Sequence, residues 1–139
     1  MTLTELYDLV GQHALSKINV RTYSKASPYT AWQSRSIEYS AVAFTVERIT
    51  NNEDYQSVEC ILYYGDRLRQ DGSNWIELQD NGLATLTAIV NDLGNDDGIL
   101  EVESGYSVDF WNHGLSDYLA GAYIRFNIDL PLDNCINME

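Results

Sequence analysis

Two stretches of the chain alternate apolar and polar side chains with a period of two. In the first, Ile37–Ile49, Val42, Phe44 and Val46 share one face, while Tyr39, Ala41 and Ala43 share the other. In the second, Gln56–Tyr64, Val58, Cys60, Leu62 and Tyr64 alternate with Glu59, Ile61 and Tyr63. The turn cluster Asn51-Asn52-Glu53-Asp54 lies between them, so the pair is expected to form a β-hairpin. Both strands are apolar on both faces over much of their length. They therefore need cover on both sides, from helices or from a neighbouring subunit.

Helical spacing occurs twice. Leu6, Leu9, Val10 and His13 follow Thr2 and Glu5, which have the spacing of a capping box. Gly11 weakens this helix by about 1 kcal/mol relative to alanine, and an end near Leu15 is expected. Leu83, Leu86, Ile89, Val90 and Leu93 mark a second amphipathic helix. Asp80 or Asn81 is the expected N-cap, and Gly94 the expected left-handed stop. The segment before it, GDRLRQDGSNW, reads as a loop with a tight turn at Asp71-Gly72, and Trp75–Leu78 as a short strand.

Three further strands are expected at Ile99–Glu103, Tyr106–Phe110 and Ala122–Leu130. In the last, Tyr123, Arg125, Asn127 and Asp129 alternate cleanly with Ile124, Phe126, Ile128 and Leu130. One face of that strand should be solvated or interfacial. Residues 21–36 are polar, aperiodic and interrupted by Pro28, yet carry Tyr23, Tyr29 and Trp32. A loop of that length is uncommon unless it is functional, so an extended arm is expected there. The whole reads as a single α+β domain over residues 1–139. Its sheet is mostly antiparallel around a central hairpin, with an N-terminal and a middle helix packed on it.

Composition narrows the function more than the fold. The chain has 139 residues, 45% of them hydrophobic, enough for one core without a disulfide or metal. Its net charge is −13, unevenly spread. Residues 1–69 hold eight acids and seven bases; residues 70–139 hold 13 acids and one base, Arg125. That balance argues against a nucleic-acid reader and against attachment to anionic membranes. There is no 18-residue apolar run, and MTLTELYDLV lacks the basic start of a signal peptide. Cys60 and Cys135 fit no metal spacing and are expected to be free thiols in a reducing compartment.

Motifs for chemistry fail one by one. His113 lies near Asp109, Ser116 and Asp117, but no nucleophile elbow accompanies them. Asp92, Asp96, Asp97 and Glu103 have partial calcium-loop spacing, with Asp97 where the loop requires glycine. His13, Cys60, His113 and Cys135 are too scattered for zinc. Nothing singles out two of the 21 acids as a glycosidase pair, and no phosphate-cradling glycine motif occurs. No enzyme, cofactor or metal is expected. The aromatics remain: ten Tyr, three Trp and three Phe, types that enrich interfaces. A monomeric carbohydrate-binding module using Trp32, Trp75 and Trp111 is one reading of them.

A second reading comes from a resemblance. The stretches CILYYGDRLRQDGSNWIELQDNGLATLTAIVNDL (60–93) and DYLAGAYIRFNIDLPLDNCI (117–136) look like small virion proteins of tailed bacteriophages, in the style of crAss-like phages and phages of gut Bacteroidetes. The element order over residues 37–136, with the helix before it, resembles tail-terminator and head–tail joining proteins. The resemblance implies a ring-forming structural subunit of the neck or tail, without catalysis. Such a protein assembles in the bacterial host cytoplasm and docks on neighbouring virion proteins. It passes DNA without binding it, as an acid-lined wall would, and meets no membrane. Tyr23, Tyr29, Trp32, Arg67, Arg69 and Trp111 are the candidate subunit-interface residues.

Overall fold

In the computed structural model, residues 1–32, 37–95, 100–112 and 119–136 are described. Helix α1 spans Leu3–Leu15. Its start follows the expected cap in part: the Glu5 N–H donates to the Thr2 hydroxyl at 3.1 Å. The Glu5 carboxylate accepts from that same hydroxyl at 3.4 Å. After α1 come β1 (Thr22–Ser24), α2 (Pro28–Ala31), β2 (Ala41–Asn51) and β3 (Tyr55–Arg67). Then follow α3 (Trp75–Gly94), β4 (Glu101–Val102), β5 (Ser107–Asn112), β6 (Leu119–Pro131) and a 3₁₀ turn at Leu132–Asn134.

The six strands form one mixed, mostly antiparallel sheet in the order β1-β2-β3-β6-β4, with β5 also paired to β6. The expected α+β architecture is therefore present, with the β2–β3 hairpin inside it. Strand β6 runs antiparallel to β3 from Tyr55↔Pro131 to Arg67↔Leu119. Its far edge is shared: β4 takes Ile128 and Asp129, and β5 takes Ala120 to Arg125.

Alternation sorts the strands onto two faces. Phe44, Leu62 and Ile124 align on one face, and α1 and α3 bury it with Leu6, Val10, Leu86, Ile89, Val90 and Leu93. The helix α3 approaches closely through Gly82. A Cβ there would stand 3.0 Å from the Ala122 Cβ and 3.1 Å from Tyr64 Cδ1.

Gly82 also explains a correction. Trp75–Leu78 is not a strand but the first turn of α3, whose N-cap is Asn74 rather than Asp80 or Asn81. The run Asp80-Asn81-Gly82 looks like a helix start, but the glycine serves the approach to the sheet. Leu78 joins Gly82, Thr85, Leu86 and Ile89 on one buried helical stripe. Gly94 ends the helix without a left-handed turn; Asn95 caps it in the right-handed region, donating to Asn91 and Asp92 carbonyls.

The expected arm at 21–36 is a second correction, over its described part. Residues 22–24 add a parallel strand to β2, and Ser27 caps the short helix α2 through the Tyr29 N–H. Trp32 at its end is 3% exposed. The chain folds back here because its aromatics have partners in the body. The Tyr23 ring fills the space a side chain at Gly11 would need, 2.7 Å from a Cβ there, and its hydroxyl donates to the Tyr7 carbonyl at 2.6 Å.

Candidate assembly interface

The second face of the sheet carries no long helix among the described residues. Register builds it in rows across four strands. Ala41, Gly65, Gly121 and Trp111 form one row; Ala43, Tyr63, Tyr123 and Asp109 the next; Thr45, Ile61, Arg125 and Ser107 the third. Beyond them lie Arg48, Glu59 and Asn127, then Thr50, Ser57, Asp129 and Glu101. A register shift between Val46 and Arg48 makes Glu47 the extra residue of a bulge.

One end of this face is closed by aromatics. Trp32 lies against the Gly65 row, 6.4 Å from the Trp111 ring and 6.2 Å edge-on to Tyr39. The Trp111 Nε1–H donates to the Ala122 carbonyl at 3.3 Å. Among the described residues, the Trp32 Nε1 has no hydrogen-bond partner. Arg67 places its guanidinium 5.2 Å from the centre of the Tyr39 ring, a cation–π contact.

The middle of the face is a tyrosine pair. Tyr63 and Tyr123 sit on adjacent strands with ring centres 6.2 Å apart, and Arg125 lies 5.9 Å from the Tyr123 centre. Burial pushes the Tyr63 hydroxyl above the usual tyrosine range, and the nearby Glu47 adds to the shift.

The other end is acidic and concave. Glu47, Glu59 and Glu103, with Ile61, Tyr106 and Arg125, border a hollow of ≈ 250 Å³. Each carboxylate has a local partner: Glu59 pairs with Arg48 at 3.3 Å, Glu103 accepts from Asn127 Nδ2 at 3.0 Å, and Glu47 accepts from the Thr45 hydroxyl at 3.2 Å. Asp129 stands beside them. Burial holds its pKa above the usual carboxylate range, and Glu103 and Glu101 push it the same way.

The six residues expected at an interface do not form one patch. Trp32 and Trp111 meet, and Arg67 reaches the same cluster through Tyr39. Tyr23 is turned to the helix-covered side by its bond to Tyr7. Tyr29 is 60% exposed on α2. Arg69 lies in the β3–α3 turn, its Nη1 donating to the Ser73 hydroxyl at 3.5 Å. The three tryptophans do not make an exposed sugar-stacking platform. Trp32 is buried, and Trp75 packs on Leu68, Leu78 and Ala120 in a separate cluster.

Tyr63, Tyr123, Glu47, Glu59 and Glu103 were not among the six. The alternation of Tyr123, Arg125, Asn127 and Asp129 was the signal for this face; the bulged Glu47 gave none.

His113, Ser116 and Asp117 lie outside the described residues, as do Asp96 and Asp97 of the acidic loop. Asp92 forms an ion pair with Lys17, which ties the end of α1 to α3. Among the described residues, no three His, Cys, Asp or Glu side chains converge as metal ligands would. No described helix is long and apolar enough to cross a membrane. No protein-family model matches the chain, and no curated protein matches it.

Proposed function

We propose that the chain is a non-catalytic, ring-forming structural subunit of a phage neck or tail, of the tail-terminator or head–tail joining type. One observation carries the reading. Helices bury one face of the sheet, while the other presents Tyr63, Tyr123 and Arg125 beside an acidic hollow. Tyrosine and arginine on a sheet face are the side chains that anchor protein contacts. The order of helix, hairpin, helix and closing strands supports the same reading through its likeness to those ring proteins. In this reading the subunit assembles in the host cytoplasm, joins the virion, and lets DNA pass along a wall too acidic to hold it.

Light scattering tests the assembly. The chain, alone or mixed with the neck and tail proteins encoded beside it, should give a mass of several copies. A monomer under both conditions, together with virions that assemble without the protein, would overturn the reading. Duplex DNA should not be retarded by the protein in a gel at physiological salt.

A further inference from the structure

The two ends of the open face differ in charge. The hairpin end carries Glu47, Glu59, Glu101, Glu103 and Asp129 against Arg48, with Arg125 at the hollow's inner edge. The opposite end carries Arg67 and Arg69, both exposed, at and just beyond the end of β3. Three other bases are neutralised inside the chain: Lys17 by Asp92, Lys25 by Asp8 and Arg48 by Glu59. Neither Arg67 nor Arg69 makes an ion pair with a carboxylate among the described residues. Arg67 rests on the Tyr39 ring and Arg69 touches a serine hydroxyl.

We infer that the acidic hollow receives the Arg67–Arg69 end of a second copy of this chain. The inference rests on the assembly reading and names the two surfaces that meet. Charge complementarity selects the occupant: acids in excess at one end, and at the other two exposed arginines that feel Asp66 and Asp71 nearby but close an ion pair with neither. Two hollows facing each other would set acid against acid, so hollow-on-hollow pairing is disfavoured. The contact runs hollow to arginine end; passed from copy to copy it closes into a ring, as the assembly reading requires, whereas made reciprocally it stops at a two-fold dimer. Tyr63 and Tyr123 lie between the two ends and supply the apolar part of the contact. Guanidinium groups suit the hollow because their planar donors pair with carboxylates two bonds at a time.

Sedimentation velocity on four samples tests this: the unaltered chain, Arg67→Glu/Arg69→Glu, Glu47→Lys/Glu103→Lys, and an equal mixture of the two variants. All four positions are exposed, and thermal melts confirm that each variant folds. Each variant alone should self-associate about tenfold more weakly or worse. The two variants move the net charge in opposite directions, so a loss in both does not come from overall repulsion. The mixture should regain association, because it pairs one intact hollow with one intact arginine end and sets the new glutamates against the new lysines. If the unaltered chain assembles and either variant assembles equally well, this docking is overturned and the assembly reading stands. If both variants fail but their mixture stays monomeric, the docking is likewise overturned. If the unaltered chain is monomeric in this assay, this docking is overturned, while the assembly reading falls only if mixing with the neck and tail proteins also leaves a monomer.

Discussion

Trp32 occupies the space that a side chain at position 65 would need. A Cβ on Gly65 would collide with the indole Cζ3, with Cε3 and Cη2 each 3.1 Å away. Gly65 is thus bare to admit the indole, and Gly121, its partner across the ladder, is just as closely packed, against the Tyr64 carbonyl. Gly65→Ala should lose about 1–3 kcal/mol, as overpacked sites do, with a red-shifted tryptophan emission as Trp32 is displaced. Urea melts followed by fluorescence measure both. An unchanged midpoint would mean that the indole does not rest on this glycine.

Gln56 predicts a second loss. It is 1% exposed and holds the last described residue from both sides: the Ile136 N–H donates to Oε1 at 2.7 Å, and Nε2 donates to the Ile136 carbonyl at 3.3 Å. Gln56→Leu leaves those backbone groups buried without partners and should cost about 1–3 kcal/mol. Hydrogen exchange at Ile136 should accelerate more than exchange in the β2–β3 ladder. Equal protection in the variant would contradict the clamp.

The two thiols should differ in reactivity. Cys60 is buried, and burial, with Glu47 and Glu59 nearby, raises its pKa far above the ordinary thiol value. Cys135 is partly exposed. A thiol reagent at pH 8 should therefore modify one cysteine rapidly in the native protein and the second only in denaturant. Mass spectrometry of the labelled peptides identifies which. Fast labelling of Cys60 in native protein would show that β3 is open to solvent.

Asp129 makes stability depend on pH. Its folded pKa lies above the unfolded value of 3.8, so the fold prefers the protonated acid. Its favourable contribution is present below pH 3.8 and is lost as pH rises through the folded pKa. At pH 7 the ionised group is a burden. Asp129→Asn should raise Tm there by roughly 1–2 °C, a modest change because the group is partly exposed, and the gain should vanish near pH 3. A lower Tm at pH 7 would show that the carboxylate is stabilised in the fold.

The hairpin and β6 were legible because alternation is a local signal. Val42, Phe44, Val58 and Leu62 declare their face whatever lies elsewhere. The same pattern in Tyr123, Arg125, Asn127 and Asp129 marked the face that became the candidate interface. What stayed hidden depends on distant partners. The burial of Trp32 follows from Gly65, far along the chain, so its polar neighbours in sequence suggested an arm. The start of α3 was masked by Gly82, whose reason is Ala122 and Tyr64. Glu47 joins the acidic hollow only because a bulge turns it there, and no local periodicity announces a bulge.

The long ladder between β3 and β6 has a consequence for synthesis. Its nearest pair joins residues 67 and 119, so the second edge of β3 has no partner until β6 leaves the ribosome. During that interval the nascent hairpin exposes an unpaired, apolar strand, the kind of surface that invites aggregation and chaperone capture.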